Sequence, residues 1–236
     1  VSFLRSALFN LGMVIWTLGM GIVGLPTLIG PRSWRLKISE IWCAGMLAWA
    51  RVAAGISWEI RGRENLPDGP VLVAFKHQSA WETYLLNQLL RDPAIVLKQE
   101  LLGIPLVGSF LKSLDMIVVD RAAGASALRR MVADAKAALA KGRPIAIFPE
   151  GTRGAVGEAL PYQPGLGALY TQLGVPLVGV ALNSGLFWGR NAFTKKSGRV
   201  LVEILPAIPP GSDRRKALAA LEAGIEEATA RLVAEG

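Results

Sequence analysis

Between Arg5 and Arg32 the chain carries no charged residue, and the run is apolar for most of its length. As a helix rising about 1.5 Å per residue, it is long enough to cross a hydrocarbon core of roughly 30 Å. Asn10, Gly12, Gly19, Gly21, Gly24 and Pro26 interrupt its apolar surface. A cleaved signal peptide is not expected, because the basic n-region is thin and no A-x-A site follows. A second apolar segment, Ile41 to Trp58, has Arg51 near its middle. A charge at the bilayer centre costs about 2.5–3.5 kcal/mol, so this segment is expected to lie at the interface. Trp34, Trp42, Trp49 and Trp58 suit that depth.

Composition points the same way. Of the 236 residues, 52% are hydrophobic and only 19% charged, and mean hydropathy is +0.39. The net charge of +8 favours anionic partners. Lipid fits better than nucleic acid, because Lys and Arg are scattered, are not interleaved with aromatics, and follow an apolar N-terminus. One cysteine, Cys43, excludes an intrachain disulfide and a Cys-based zinc site, and His77 is the lone histidine, so no metal is expected. Cys43 reads as a small buried hydrophobe. Gly19-Met-Gly21-Ile-Val-Gly24 matches the dinucleotide fingerprint G-x-G-x-x-G. No strand precedes it, however, and Pro26 cuts off the helix it should open, so it reads as flexibility or close packing.

From Ile56 onward, short β-branched runs alternate with helical patterns. Strands are predicted at Ser57–Arg61, Val71–Phe75, Ala94–Lys98, Met116–Val119, Ile145–Phe148, Leu177–Leu182 and Val200–Leu205. Helices are predicted at Ala80–Leu90, Ser126–Lys141, Gly165–Leu173 and Asp213–Val233. The first of the long helices has an apolar face at Leu128, Met131, Val132 and Leu139, with Gly142 as its stop. The last repeats Leu218, Leu221, Ile225 and Leu232. The alternation implies an α/β fold on a mixed, largely parallel sheet of about seven strands flanked by helices. The expected division is a membrane-associated helical hairpin over residues 1–58 and an α/β domain over 59–236.

Three predicted strand ends carry reactive side chains, and in α/β sheets ligands gather at such ends. After Val71–Phe75 come His77 and, five residues later, Glu82. Residues five apart on one helix diverge by about 140°, so His77 should precede the helix and Glu82 should reach back from its first turn. That pair is a general base with its orienting carboxylate. The same stretch, Ser79-Ala-Trp-Glu82, is also a helix capping box, and the residues alone leave both readings open. After Ile145–Phe148 come Glu150, Gly151, Thr152 and Arg153, a turn suited to an anionic phosphate or to a plain Glu–Arg surface pair. After Met116–Val119 comes Arg121. No G-x-S-x-G elbow surrounds Ser79, which argues against a serine hydrolase.

His77-x4-Glu82, Val119-Asp120-Arg121, Phe148-Pro149-Glu150-Gly151-Thr152-Arg153 and Val175-Pro176-Leu177 stand in the order of four motifs. In these the chain resembles the glycerolipid acyltransferases, most of all the bacterial 1-acylglycerol-3-phosphate acyltransferases. The likeness covers about Ile56 to Leu205, and the N-terminal segment is similar to the two-helix membrane element common in that family. The resemblance implies His77 as base, Glu82 as its partner, Arg121 and Arg153 as holders of the glycerol phosphate, and Glu150, Gly151 and Thr152 as shapers of the acceptor site. It also implies Lys98 as a further phosphate contact. It implies acyl transfer from acyl-CoA or acyl carrier protein to the sn-2 hydroxyl of lysophosphatidic acid, without a cofactor or acyl-enzyme. Lyso-ornithine lipid, glycerol 3-phosphate or another lysophospholipid as acceptor, or a non-catalytic lipid-binding protein with the same fold, are the alternatives. The chain departs from the family pattern at Glu82, where Asp is usual, at Asp115, where Gly is usual, and at Gly179, where Pro is frequent.

A cytosolic thioester donor also bears on topology. Arg32, Arg35 and Lys37 lie between the two apolar segments and should be cytoplasmic. Two full spans would then place the body outside, so a hairpin dipping into one leaflet, or one span plus an interfacial helix, is expected at the cytoplasmic face of the inner membrane. The basic cluster Arg190, Lys195, Lys196 and Arg199 reads either as a contact for anionic lipid or coenzyme A phosphates or as a solvated loop.

Overall fold

A computed structural model describes residues 3–236. Two helices come first, α1 (Phe3–Gly24) and α2 (Arg32–Trp49), the latter prolonged by a wider turn over Ala50–Ala54. The body follows as β1 (Ile56–Arg61), β2 (Leu72–Phe75), α3 (Trp81–Leu89), β3 (Ala94–Lys98), α4 (Val107–Ser113), β4 (Ile117–Val119), α5 (Gly124–Ala140), β5 (Ile145–Ile147), α6 (Pro164–Leu173), β6 (Leu177–Leu182), β7 (Gly198–Ile204) and α7 (Arg214–Glu235). The strands form one seven-stranded sheet in the order β1-β7-β6-β2-β5-β3-β4. Every pairing is parallel except β6 with β7. All the predicted strands and helices appear. The helix α4 was not anticipated, since its seven residues carry no start or stop signal.

Strand side chains alternate between two cores, which explains why the strands read as unbroken apolar runs. Val73, Phe75, Val178 and Val180 face a layer that includes Phe9 of α1, Leu47 of α2 and Trp81 and Leu85 of α3. Leu72, Ala74, Ile145 and Leu177 face Met131 and Ala135 of α5, Leu169 of α6 and Leu221 and Ile225 of α7. Gly179 belongs to this second contact: a Cβ there would lie 2.9 Å from Ile225 and 3.0 Å from Leu221, so its small size lets α7 approach.

The N-terminal helices pack on each other, but one rather than both is the apolar membrane helix expected from sequence. Among the described residues one stretch, Phe3–Ile29, is long and apolar enough to cross a membrane. Its exposed side chains Leu4, Leu8, Leu11, Ile15, Leu18 and Ile22 form a stripe at helical spacing. Helix α2 carries Arg32, Arg35, Lys37 and Glu40 and packs between α1 and α3. Of the four tryptophans expected at the interface, Trp34 is 57% exposed and the other three make contacts within the protein. Trp42 meets Tyr84 edge-on at 5.3 Å, the Trp49 indole donates to the Phe9 carbonyl at 3.0 Å, and Trp58 packs on Trp81. All three are half-buried.

Close approach explains the glycines. A Cβ on Gly45 would sit 2.3 Å from the Trp16 ring, and one on Gly12 2.4 Å from Trp49. Gly21 and Gly24 of the fingerprint-like string pack on Leu106 and Phe110, so that string serves helix packing. Toward its other end α1 is tied to the segment before β7. The Lys195 amide donates to Ser6 Oγ at 3.0 Å and its ammonium to Asn10 Oδ1 at 3.1 Å, beneath the rings of Phe9 and Trp188. Lys195 is therefore buried and does not belong to a solvated basic surface.

Two outcomes follow from this packing. Gly45→Val should lower the melting temperature in detergent by the equivalent of about 1–3 kcal/mol, the usual cost of overpacking. Gly19→Val, with nothing within 4 Å of its Cβ, should not. Burial lowers the Lys195 ammonium to about 8 from an ordinary 10.5. Between those values the unfolded chain binds more protons than the folded one, so the penalty present below pH 8 is relieved as pH rises. Wild-type stability should therefore gain on that of Lys195→Met as pH rises from 8 toward 10, a difference readable by thermal unfolding.

Candidate active site

The sheet order places the reactive residues side by side. Strands β6, β2, β5, β3 and β4 are neighbours and mutually parallel, so the residues that follow them share one edge. His77 follows β2, Glu150 follows β5, Lys98 ends β3, Arg121 follows β4 and Ser184 follows β6.

His77 lies before α3 and Glu82 in its first turn, as the spacing required. The His77 Nδ1 is 3.0 Å from Glu82 Oε1. That oxygen also accepts the amides of Gln78 at 2.7 Å and Ser79 at 2.6 Å. The second oxygen accepts the Ser184 hydroxyl at 2.8 Å, and Ser79 Oγ accepts the Trp81 amide at 3.1 Å. The capping and orienting readings are thus one arrangement: a fully buried carboxylate closes the start of α3 and steers the imidazole. With two amides and a hydroxyl already donating to Glu82, a proton on Nδ1 completes the set, and that tautomer leaves Nε2 as the acceptor. The His77 side chain is 15% exposed, enough to meet a ligand. The Phe148 ring stacks on it with centroids 3.9 Å apart.

The turn after β5 grips the same histidine by its backbone. Glu150 Oε2 accepts the His77 amide at 3.0 Å, and the His77 carbonyl accepts the Gly154 amide at 2.9 Å. The other Glu150 oxygen is hydrogen-bonded to Lys76, whose ammonium also donates to Glu226 of α7 at 2.8 and 2.9 Å. Burial by itself would lower the Lys76 ammonium, but hydrogen bonds and charge from the two carboxylates hold it above its ordinary range. Glu150 acts on the site through the His77 backbone, from beneath, and both of its oxygens are engaged.

Arg121 reaches this turn as well, donating to the Gly151 carbonyl at 2.8 Å. Gly151 has φ +66, which favours glycine, whereas the Arg121 guanidinium that a Cβ would meet is the movable end of a flexible side chain, so the backbone carries the requirement. Arg153 donates to Asn191 Oδ1 at 3.2 Å, which ties it to the segment between β6 and β7. Thr152, next to it, is half-buried. Lys98 pairs in register with Val119, two residues before Arg121, so both cations sit at one end of the β3–β4 pair. Asp115 occupies its glycine-favouring place with φ +53, a left-handed conformation that Asp tolerates. The Arg143 guanidinium donates to its carbonyl at 2.9 Å.

Sequence reading missed Ser184, Lys76, Phe148 and Glu226. Ser184 and Lys76 had a signal, since each flanks a strand end next to a motif. Glu226 had none, because it lies on the outer helix 76 positions after Glu150 and only folding brings it to Lys76.

A lone imidazole aimed by a buried carboxylate, on the carboxyl edge of a mostly parallel sheet with guanidinium groups alongside, is the arrangement of a general-base α/β enzyme. Residues 57–183 match the Acyltransferase family, and the chain belongs to that family. It is 36% identical over 198 residues to a 1-acyl-sn-glycerol-3-phosphate acyltransferase of Pseudomonas aeruginosa, covering 84% of this chain and 77% of that one. It is 27% identical over 212 residues to the human 1-acyl-sn-glycerol-3-phosphate acyltransferase alpha, covering 88% and 72%. The fold superposes with a TM-score of 0.76 on the 1-acyl-sn-glycerophosphate (LPA) acyltransferase of Thermotoga maritima, at 23% identity, over 96% of this chain and 95% of that one.

The buried cation gives a direct check. Lys76→Met leaves the buried Glu150 without its cation, next to Glu226, and should cost about 3–5 kcal/mol. Glu226→Gln keeps a hydrogen-bonding group at a side chain that is 25% exposed and should cost clearly less. Denaturant titration of the two variants would show the order.

Proposed function

We propose that this acyltransferase moves a fatty acyl group from acyl-CoA or acyl carrier protein to the sn-2 hydroxyl of lysophosphatidic acid, giving phosphatidic acid. The single observation that carries the reading is the Glu82–His77 contact, which leaves Nε2 free as base. The acceptor substrate is drawn from the names of the relatives and from the cations beside His77. In the reaction, Nε2 takes the hydroxyl proton as the oxygen attacks the thioester carbonyl. A C–O bond forms, the C–S bond breaks, and the imidazolium returns the proton to the leaving thiolate. Glu82 stabilises the imidazolium in between. The developing oxyanion needs N–H donors. The amides of His77, Gln78, Ser79 and Gly151 are committed to Glu150, Glu82 and the Phe148 carbonyl, so this role falls to the amides of residues 152 and 153. Arg121, Arg153 and Lys98 hold the phosphate, Arg153 by its forked guanidinium.

Contacts at both ends of α1 support a placement in one leaflet of the membrane. Near its start Phe3 stacks on Phe193 and Ser6 meets Lys195, and at its end Gly21 and Gly24 meet Leu106 and Phe110. A helix of 22 residues spans about 33 Å, and one held along the body over that length cannot cross a bilayer without dragging the body in. The exposed apolar stripe then lies in the cytoplasmic leaflet, with the body on its aqueous side.

With radiolabelled acyl-CoA and lysophosphatidic acid, His77→Ala should lose about 10²–10⁴ in turnover while acceptor binding persists. Full activity in that variant would end the assignment. Arg153→Ala should mainly raise KM for the phosphorylated acceptor, and an unchanged KM would remove its role.

A further inference from the structure

We propose that residues 101–107 form a second lipid-inserted element, which seats beside the end of α1 and sets the height of the phosphate-binding edge above the membrane. The proposal rests on the reading that α1 lies in one leaflet.

The segment Leu101-Leu-Gly-Ile104-Pro-Leu106-Val107 is seven apolar residues that lead from the turn after β3 into the first residue of α4, with no charge or hydroxyl. Leu101 is 39% and Ile104 43% exposed, and Gly103 and Pro105 are exposed as well. Water-facing loops are ordinarily polar, so an uninterrupted apolar one at the surface calls for a partner. Its backbone takes an uncommon course. Leu106 has φ +63 and ψ −58, and the Val107 amide donates to the Pro105 carbonyl at 2.7 Å, closing a three-residue turn that bulky residues rarely adopt. The turn puts Leu106 against Gly21 of α1, and Phe110 one turn later against Gly24, while Ile104 is left outside.

Continuity identifies the partner. The part of α1 that Leu106 and Phe110 touch carries Ile22, Val23 and, just beyond it, Leu25, which are 61%, 66% and 43% exposed. Leu101 and Ile104 extend this apolar patch from the helix onto the body. The segment is framed by Lys98 and Lys112, with Glu100 the one acidic residue between them, a balance that suits an anionic lipid surface. It also lies in the chain between Lys98 and Arg121, the cations at the β3–β4 end of the site. Dipping it into the acyl boundary brings headgroup phosphates level with those side chains. A second protein copy would match the apolar surface but not the flanking lysines or the continuity with α1.

Cys43 is the sole cysteine and is buried, so the chain accepts one engineered label. In Cys43→Ala/Ile104→Cys carrying a nitroxide, vesicles of equal phosphatidylglycerol and phosphatidylcholine should raise collision with oxygen and lower collision with a water-soluble nickel complex. Equal nickel collision with and without vesicles would overturn the proposal. So would dipolar broadening in detergent solution, which would mean contact between copies. This readout is independent of acyl transfer, so it stands or falls apart from the proposed reaction. As a second measurement, Leu101→Ser/Ile104→Ser should raise KM for vesicle-embedded lysophosphatidic acid about ten- to a hundredfold, as expected for two half-exposed aliphatic side chains. It should leave kcat/KM for a short-chain acceptor below its micelle concentration unchanged. Equal loss on both acceptors would point to a folding defect and count against the membrane role.

Discussion

Four donors converge on the Glu82 carboxylate: the His77 ring, the amides of Gln78 and Ser79, and the Ser184 hydroxyl. A fully buried carboxylate is tolerable only when its lone pairs are satisfied, and here an imidazole, two amides and a hydroxyl satisfy them. The cost of dehydrating the charge is met by backbone dipoles at the start of α3 and by one hydroxyl from the end of β6. The result is directional as well as stable. The imidazole is fixed through Nδ1 while its side chain stays 15% exposed.

Behind that edge a second buried polar group does a different job. Lys76 stands between Glu150 and Glu226, and Glu150 passes the restraint on to the His77 amide. The turn carrying Glu150, Gly151 and Arg153 is thereby locked to the turn carrying His77, and Arg121 is drawn to Gly151 from the far side. Motifs separated by dozens of residues become one rim because β2, β5, β3 and β4 run parallel side by side and their carboxyl ends share one edge. Preorganisation of this kind matters for catalysis by proton transfer, since small displacements of a base cost large factors in rate.

The N-terminal helices follow a separate logic. Tryptophans that composition alone would place in a lipid interface are packed on Tyr84, Trp81 and α1, while aliphatic side chains of α1 face outward. Glycines at positions 12, 21, 24 and 45 let rings and leucines approach the helix backbones. Helix α1 is therefore held to the body along its length, through Lys195 at one end and Leu106 and Phe110 at the other.

What the sequence determined was local. Seven β-branched runs and the helical stripes between them specified the strands, because strands buried on both faces cannot avoid an apolar signature. The five-residue spacing of His77 and Glu82 specified a histidine outside the helix and a carboxylate within it, by helix geometry alone. Tertiary structure decided what depends on partners distant in the chain. Glu226 and Ser184 reach the site only after α7 and β6 have packed, and no periodicity encodes that meeting. The fates of Trp42, Trp49, Trp58 and Lys195 were likewise open, since an indole or an ammonium suits a lipid surface and a protein interior equally until its neighbours are set.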